Sequence, residues 1–313
     1  MDFLFVIDPP DTLKAYKDTS VAMMRAAQKR GHAVWVCEQD RLHWKQGRAS
    51  AAAHHIHLTD NDEDWYRPHS AATRPLTEFG ATLMRKDPPF DLEYVVSTWL
   101  LSAAVRDGAK VFNAPDAIRD HNEKLAIAEF ARFTAPTLVS REPERVQAFI
   151  DEHRDVVVKR LDVMGGEHVF RVRPEDPNRN VIIETISQRG ARTVMAQRYI
   201  PEIKDGDKRV ILIDGKLVPH CLARIPKAGE SRGNLAAGAR GVAQPISKRH
   251  REIGEALGPM LAKRGLLVVG LDVIGDYLTE VNVTSPTCFR EIQDQTGFDV
   301  SGMFLDSLEQ RVS

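Results

Sequence analysis

Apolar and polar positions alternate in blocks along the first hundred residues of the chain. Residues 3–7 form a short apolar run that is stopped by an aspartate and two prolines, which is typical of a buried strand ending in a loop. Helix formers follow at 21–30, behind the capping residues 18–20, and a second apolar run occupies 33–37. This order predicts a β–α–β unit, and such units build parallel sheets that bind ligands at the C-terminal ends of their strands.

The same pattern recurs before the organisation changes near residue 120. Residues 83–89 again predict a strand that ends in charged residues and prolines, and they are followed by a helix at 91–106 and a strand at 110–112. Neither a low-complexity linker nor an internal repeat separates the two halves. We therefore expect a parallel α/β unit up to about Asp120 and a domain boundary at that point.

The second half predicts an antiparallel α+β organisation, because its strands follow each other closely. Two dipeptides that are typical of hairpin turns, Asp214-Gly215 and Gly275-Asp276, stand between pairs of apolar runs. These pairs are predicted at 208–213 with 217–223 and at 268–274 with 277–283. Further strands are predicted at 156–159, 169–172 and 193–199.

Composition and charge exclude several classes of protein. The chain has 313 residues, of which 42% are hydrophobic and 28% charged, as in globular proteins. Its 43 Lys and Arg against 44 Asp and Glu leave a net charge of -1, which argues against a nucleic-acid partner. Three distant cysteines, no basic leader and no long apolar stretch predict a soluble, cytoplasmic protein with no membrane partner.

Common catalytic motifs are absent from the sequence, and a local histidine cluster is weak as a signal. The chain contains no Gly-x-x-x-x-Gly-Lys-Ser/Thr, Gly-x-Gly-x-x-Gly, Gly-x-Ser-x-Gly or His-Glu-x-x-His. His54, His55 and His57 follow an alanine-rich stretch without a carboxylate at ligand spacing, so we expect a structural or surface role for them. A nucleotide, if bound, must be held by a different architecture.

Two groups of residues in the second half are suited to a nucleotide. Lys124 and Lys159 are cations, and Lys159 ends an apolar strand before the pair Gly165 and Gly166. A glycine turn lets backbone N–H groups approach phosphate oxygens, although it can also be simply a turn. The extended segment 197–200, with Gln197, Arg198, Tyr199 and Ile200, is expected to offer an exposed edge to adenine. Asp207, shortly after it, could accept hydrogen bonds from ribose hydroxyls.

A long loop and one hairpin complete the candidate site. Residues 225–241 are rich in glycine, lie next to Arg224 and contain Arg232, which predicts a lid whose guanidinium groups pair with phosphate or carboxylate. Asp272 and Glu280 stand on the two strands of the last hairpin, and Asn282 shares a face with Glu280. Such oxygen ligands suit Mg²⁺, although a solvated hairpin face remains the alternative.

Long runs of sequence resemble the bacterial glutathione synthetases of the ATP-grasp superfamily. The resemblance covers almost the whole chain. It is densest in the runs that begin at Met84, Asp205, Cys221, Arg232 and Glu280: MRKDPPF, DGDKRV, CLARIP, RGNLAAG and EVNVTSPTC.

This resemblance implies a fold and an activity. The fold would combine an N-terminal α/β pre-ATP-grasp domain (1–121) with an ATP-grasp domain (122–313). The latter would consist of two α+β subdomains, a central lid (about 122–200) and a catalytic part (about 201–313). The activity would be the ATP-dependent ligation of γ-glutamylcysteine to glycine through an acyl phosphate, with Mg²⁺ or, as a substitute, Mn²⁺. A homo-oligomer, dimer or tetramer, is also implied.

The resemblance also assigns roles to individual residues. Lys124, Lys159 and 197–200 match ATP contacts, and Asp272, Glu280 and Asn282 match metal ligands. Arg209 and Arg224 match cations near the transferring phosphate and the substrate carboxylate. The acid substrate is expected at Asp18, Ser20, Arg85, Asp87, Asn282 and Ser285.

Two other functions stay open at this point. One is an ATP-grasp ligase for a different acid or amine, because specificity depends on the N-terminal half and the segment 284–290. The other is a nucleotide-binding regulator that has lost catalysis, which the retained Asp272, Glu280 and Asn282 disfavour.

Overall fold

Three β-sheets with flanking helices make up the described part of the chain in the computed structural model. The structure describes residues 1–162, 168–227, 233, 235 and 238–313. Within these residues no helix is both long and apolar enough to cross a membrane.

The first sheet has seven strands and combines parallel with antiparallel pairing. The elements of this part are β1 (Asp2–Ile7), α1 (Thr19–Lys29), β2 (Ala33–Glu38), β3 (Leu42–Lys45), β4 (Arg48–Leu58), β5 (Tyr66–Pro75), β6 (Ala81–Met84), α2 (Leu92–Arg106), β7 (Val111–Phe112) and α3 (Pro115–Asp120). The strands β2, β1, β6 and β7 are parallel neighbours, as the sequence predicted. By contrast, β3, β4 and β5 pair antiparallel and were not predicted.

The missed strands have a physical explanation. β4 alternates between buried and exposed positions, but its inward residues are mostly alanines, for example Ala51 and Ala53. Small side chains give a weak hydrophobic pattern, so the two-residue period was not apparent from the sequence. His54, His55 and His57 lie on this strand, and the His55 ring stacks on Trp35 at a centroid distance of 5.1 Å.

A small antiparallel sheet follows, in the order β10-β9-β11-β8. A 3-10 segment (Leu125–Phe133) leads into it. Its elements are β8 (Thr137–Ser140), α4 (Pro143–His153), β9 (Val156–Arg160), β10 (Val169–Val172), α5 (Arg179–Ser187) and β11 (Val194–Arg198). α4 and α5 pack on one face around Val146, Ile150 and Ile183, which form a separate apolar core with the strands.

The third sheet has five antiparallel strands in the order β14-β13-β12-β15-β16. Its elements are β12 (Asp207–Ile213), β13 (Lys216–Ile225), β14 (Arg240–Pro245), α6 (Lys248–Lys263), β15 (Val268–Ile274), β16 (Tyr277–Asn282), α7 (Phe289–Thr296) and α8 (Val300–Val312). Both predicted hairpins are confirmed. Asp214, Gly215 and Gly275 have φ of 49°, 75° and 56°, the left-handed conformation that glycine adopts without strain.

The largest core joins the beginning of the chain to its end. Phe3 and Phe5 of β1 and Met23 of α1 belong to the same buried cluster as Phe289 of α7 and Phe304 of α8. The first sheet therefore packs directly against the elements that follow the last hairpin, which brings the C-terminal ends of β1 and β6 close to the third sheet.

Candidate active site

One face of the third sheet carries a row of charged side chains. Arg209 of β12, Asp272 of β15 and Glu280 of β16 are direct cross-strand neighbours. Asp207 and Arg224 form the adjacent cross-strand pair of β12 and β13. Because side chains alternate between the two faces of a strand, Arg209 and Asp207 point to the same side.

Asp272 is the centre of a buried ion network. Arg209 Nε donates to Asp272 Oδ1 at 2.6 Å, and Arg224 Nη2 lies 2.9 Å from Asp272 Oδ2. The same Arg224 Nη2 donates to Asp207 Oδ2 at 2.5 Å. Asp207 Oδ1 and Arg224 Nε are buried, and neither has a hydrogen-bond partner among the described residues. Buried polar atoms normally have partners, so these two are available to a ligand.

The network gives the carboxyl groups of Asp272 and Asp207 very different pKa values. Burial by itself would raise the pKa of Asp272, but the charges of Arg209 and Arg224 hold that pKa well below its usual range. Burial raises the pKa of Asp207 to about 7, with Arg224 opposing the rise and the charges of Asp272 and Glu280 adding to it. The sheet therefore holds one firmly ionised carboxylate beside one that titrates near neutrality.

Two lysines face this sheet from the other side of a cleft. Lys159 comes from β9 of the small sheet, and Lys124 from the residues just before the 3-10 segment. Both Nζ atoms lie 3.7 Å from Glu280 Oε1, and both lysines are buried. Burial lowers the pKa of Lys159, Glu280 opposes this, and the neighbouring Lys124 adds to it. Two cations and one carboxylate thus meet between the small sheet and the third sheet.

The segment predicted for adenine is placed differently from the expectation. β11 is an interior strand, paired with β9 on one side and β8 on the other, so Gln197 and Arg198 offer no exposed edge. Gln197 Nε2 donates to Thr137 Oγ1 at 2.9 Å. The chain leaves the sheet only at Tyr199 and Ile200. The sequence could not show this, because a strand's position in its sheet depends on distant partners.

The four N-terminal candidates lie together near the C-terminal ends of β1 and β6. Asp18 caps α1 by accepting a hydrogen bond from Val21 N at 2.9 Å, and Arg85 Nε donates to Ser20 Oγ at 3.1 Å. The side chain of Asp87 is hydrogen-bonded to Ser285. Burial raises the pKa of both carboxyl groups and lowers the pKa of the Arg85 guanidinium. These four residues lie at the C-terminal ends of parallel strands, which is where parallel sheets usually bind their ligands.

The C-terminal half contributes residues to this N-terminal group. Arg85 Nη2 donates to the carbonyl oxygen of Pro286 at 2.8 Å, and Ser285 precedes that proline. Asn282, which ends β16, donates from Nδ2 to the carbonyl oxygen of Gly270 at 3.1 Å. Gly165, Gly166 and Arg232 lie outside the described residues.

Sequence reasoning missed Glu123. Its Oε1 accepts hydrogen bonds from Val283 N, Thr284 N and Thr284 Oγ1 at 2.9, 3.0 and 2.8 Å. A single glutamate beside a lysine carries no recognisable pattern, because its partners lie 160 residues further along the chain.

Asp272, Glu280 and Asn282 are the candidate metal ligands. Among the described residues no group of three or more His, Cys, Asp or Glu side chains has the arrangement of a metal site. Asp272 and Glu280 are cross-strand partners, and Asn282 follows two positions later. Carboxylate and amide oxygens suit Mg²⁺ when waters or phosphates complete the shell. The donors therefore fit a cation that a ligand helps to hold.

Solved structures establish the fold. The crystal structure of a D-cycloserine synthetase covers 100% of both chains with a TM-score of 0.70 at 15% identity. The ATP-grasp ligase PsnB covers 99% of this chain and 98% of its own, with a TM-score of 0.62 at 18% identity. With two α+β units closing on a charged cleft, the chain has the fold of the ATP-grasp ligases.

Family models and relatives identify the particular family. The models of the prokaryotic glutathione synthetase N-terminal domain and ATP-grasp domain match residues 1–119 and 123–297. The chain belongs to the prokaryotic glutathione synthetase family and is an ATP-dependent ligase, which confirms the resemblance seen in the sequence. The glutathione synthetase of Ralstonia nicotianae is 58% identical over 99% of this chain and 96% of its own length. That of Pseudomonas aeruginosa is 50% identical, covering 98% and 97%.

Proposed function

We propose that the chain joins γ-glutamylcysteine to glycine and splits ATP to ADP and phosphate, yielding glutathione. The observation that carries this proposal is the meeting of Lys124 and Lys159 with Glu280 in a buried cleft, next to the Arg209–Asp272–Arg224 network. Such an arrangement supplies cations for a polyphosphate and oxygen ligands for a metal within one site.

The reaction needs an activated carboxylate, because a carboxylate ion is a poor electrophile. In the proposed first step an oxygen of the dipeptide's terminal carboxylate attacks the γ-phosphorus of ATP, and ADP leaves. The amine of glycine then attacks the acyl carbon and loses a proton, and phosphate leaves. Arg209 and Arg224 would stabilise the charge on the transferring oxygens, and comparable single contacts contribute about 3–4 kcal/mol.

Nucleotide contacts follow from the same cleft. Lys124 and Lys159 would hold the phosphates, and we assign the same role to Gly165, Gly166 and Arg232, which lie outside the described residues. Tyr199 and Ile200, where the chain leaves the sheet, would flank the adenine, and Gln197 and Arg198 would support them from the end of β11. The Oδ1 atom of Asp207 has no hydrogen-bond partner among the described residues, which supports a polar contact to the nucleotide, for which we propose a ribose hydroxyl.

Asp272, Glu280 and Asn282 would hold Mg²⁺, or Mn²⁺ in its place. Asp272 can still contribute, because a carboxylate has about four lone-pair sites and the arginines use only part of them. When bound, the cation would neutralise phosphate charge and help orient the polyphosphate.

The acid substrate is assigned to the pocket of Asp18, Ser20, Arg85, Asp87 and Ser285, with Asn282 at its border. The buried guanidinium of Arg85 supports a carboxylate ligand, because a buried positive charge is stabilised by a negative charge close to it. The alternative function is a ligase for a different acid or amine. The residues of this pocket would distinguish the two functions, because they determine which carboxylate reaches the phosphate.

We further propose a homo-oligomer in the cytoplasm. α2 is apolar on its outer face as well as its inner one, with Leu92 exposed by 67% and Trp99 by 52%. Exposed apolar stripes of this kind favour a protein contact. The three cysteines are unpaired and buried, as expected in a reducing compartment. Sedimentation analysis of Trp99→Glu against wild type tests the contact, and we expect a smaller assembly.

A phosphate-release assay tests the activity. Phosphate should appear only when ATP, Mg²⁺, γ-glutamylcysteine and glycine are all present, with one glutathione formed for each phosphate. Omitting each component in turn gives the controls. Turnover with another acid but not with γ-glutamylcysteine would favour the alternative ligase, and nucleotide binding without ADP formation would favour a regulator.

A further inference from the structure

Three consecutive residues contact three different parts of the cleft wall. Asn122 Nδ2 donates to the carbonyl oxygen of Leu161, just beyond β9, at 3.0 Å. Lys124 reaches Glu280 near the middle of the site. Glu123, between them, binds the chain where it leaves β16. The segment 122–124 therefore contacts the small sheet, the charged side chains of the third sheet and the end of β16.

Glu123 holds that end of β16 by four hydrogen bonds. Three of them converge on Oε1, from two backbone N–H groups and the hydroxyl of Thr284. The fourth runs from Val281 N to the carbonyl oxygen of Glu123 at 2.8 Å. β16 is the outer strand of its sheet in the described part of the chain, so this contact supplies a partner on the edge that no described strand covers. Hydrogen bonds to an ionised carboxylate are about twice as strong as neutral ones.

The anchored chain continues directly into the acid pocket. Ser285, the next residue after Thr284, is hydrogen-bonded to Asp87, and the carbonyl oxygen of Pro286 accepts from Arg85. The corner 283–286 is thus fixed by Glu123 on one side and by the N-terminal pocket on the other. Any shift of this corner moves the acid pocket relative to Lys124 and Glu280.

We propose that Glu123 is a positioning residue that sets the acid substrate at the correct distance from the phosphate-binding lysines. This inference rests on the proposed function and adds a residue to it. Glu123 needs no contact with either substrate, because it acts through Thr284 and Ser285. A misplacement of about 1 Å between reacting groups can lower a rate by about 100-fold.

The test compares Glu123→Ala and Glu123→Gln with wild type in steady-state kinetics. For Glu123→Ala we expect kcat to fall by at least about 10-fold and the KM for γ-glutamylcysteine to rise, while the KM for ATP changes little. We also expect more than one phosphate per glutathione, because a displaced acyl phosphate loses part of its flux to water. Glu123→Gln keeps an acceptor oxygen and should rescue part of both defects.

Two controls separate positioning from general stability. Glu129→Ala removes another glutamate of the same region, one that binds Arg264 at a more exposed site, and should leave all constants near wild type. Assays are run below the melting temperature of every variant. If Glu123 has a purely structural role, Glu123→Ala would lower the melting temperature but leave the phosphate-to-glutathione ratio at one. That result would overturn the positioning inference and leave the proposed function intact. An inactive wild type would overturn the proposed function and this inference together.

Discussion

Arg209 and Asp272 face each other on neighbouring strands and are joined by two hydrogen bonds, of 2.6 and 3.2 Å. Both side chains are buried, so their charges depend on each other. Removing one member of such a pair typically costs about 3–5 kcal/mol, because the other is left without compensation. For Asp272→Asn we therefore expect a loss of that order in the free energy of unfolding, measured by urea titration.

The same variant should lose turnover by about 100-fold or more, since Arg209 and Arg224 would both lose the charge of Asp272 that helps to position them. Asp162→Asn is the matched control, because that aspartate pairs with Arg160 and Arg192 at a more exposed position. Surface pairs contribute about 0–1 kcal/mol, so its stability and turnover should stay close to wild type. Equal effects in both variants would contradict a special role for the buried network.

Glu280 is expected to control the metal requirement. Glu280→Gln removes the charge that faces both lysines, and a neutral amide is a weaker ligand for a hard cation. The concentration of Mg²⁺ that gives half-maximal rate should rise by about 10-fold or more at fixed ATP. Titrating Mg²⁺ in the phosphate-release assay measures this. An unchanged Mg²⁺ dependence would remove Glu280 from the proposed ligand set.

The pKa of Asp207 predicts a pH dependence of stability. Its pKa is raised from 3.8 to about 7 in the folded chain. Between these values the folded state keeps a proton that the unfolded state has released, so the contribution of Asp207 to stability is lost as the pH rises toward 7. Asp207→Asn lacks this titration, and its stability relative to wild type should therefore improve from pH 4 to pH 7. The gain is limited to about 4 kcal/mol.

Chemical denaturation of both proteins at several pH values checks that difference. The substitution also alters the hydrogen bond from Arg224 at every pH. The decisive quantity is therefore the change of the stability difference with pH, and not its absolute value. A flat difference across this interval would show that Asp207 is already ionised at pH 4.

Arg85→Lys tests the acid pocket. Lysine keeps the charge but cannot contact Ser20 and the carbonyl oxygen of Pro286 with separate guanidinium nitrogens. We expect the KM for γ-glutamylcysteine to rise by about 10-fold and the KM for ATP to stay within twofold. An equal rise in both KM values would show that Arg85 affects the whole cleft and has no particular role in binding the acid.

Local patterns were sufficient to predict seven strands of the second half, which are β9–β13, β15 and β16, but they did not predict β8, β14 or the helices α4–α8. The turn dipeptides at 214–215 and 275–276 stand between strongly apolar strands, so hairpin positions and the shared face of Glu280 and Asn282 followed from the two-residue period. The charged row could not be derived in this way. Arg209 meets Asp272 only through strand order, and that order is set by contacts between distant parts of the chain.

The same limitation explains the two corrections in the fold. The alanines of β4 gave too little hydrophobic contrast to mark a strand, and the interior position of β11 depends on its pairing with β8 and β9. Glu123 is the extreme case, because its entire role lies in partners near residue 284. Residue type and spacing suggest which groups can take part in chemistry, whereas tertiary pairing decides which of them meet.

The shared core of the first and last elements has a consequence for how the protein is made. α8 packs on α1, and Glu309 near its end binds both Arg30 and His32, at 2.9 and 2.8 Å. Because α8 is synthesised long after α1, the earliest strands emerge from the ribosome with part of their apolar surface uncovered until α8 follows. We expect nascent chains lacking the final helix to depend on chaperones and to aggregate when these are scarce.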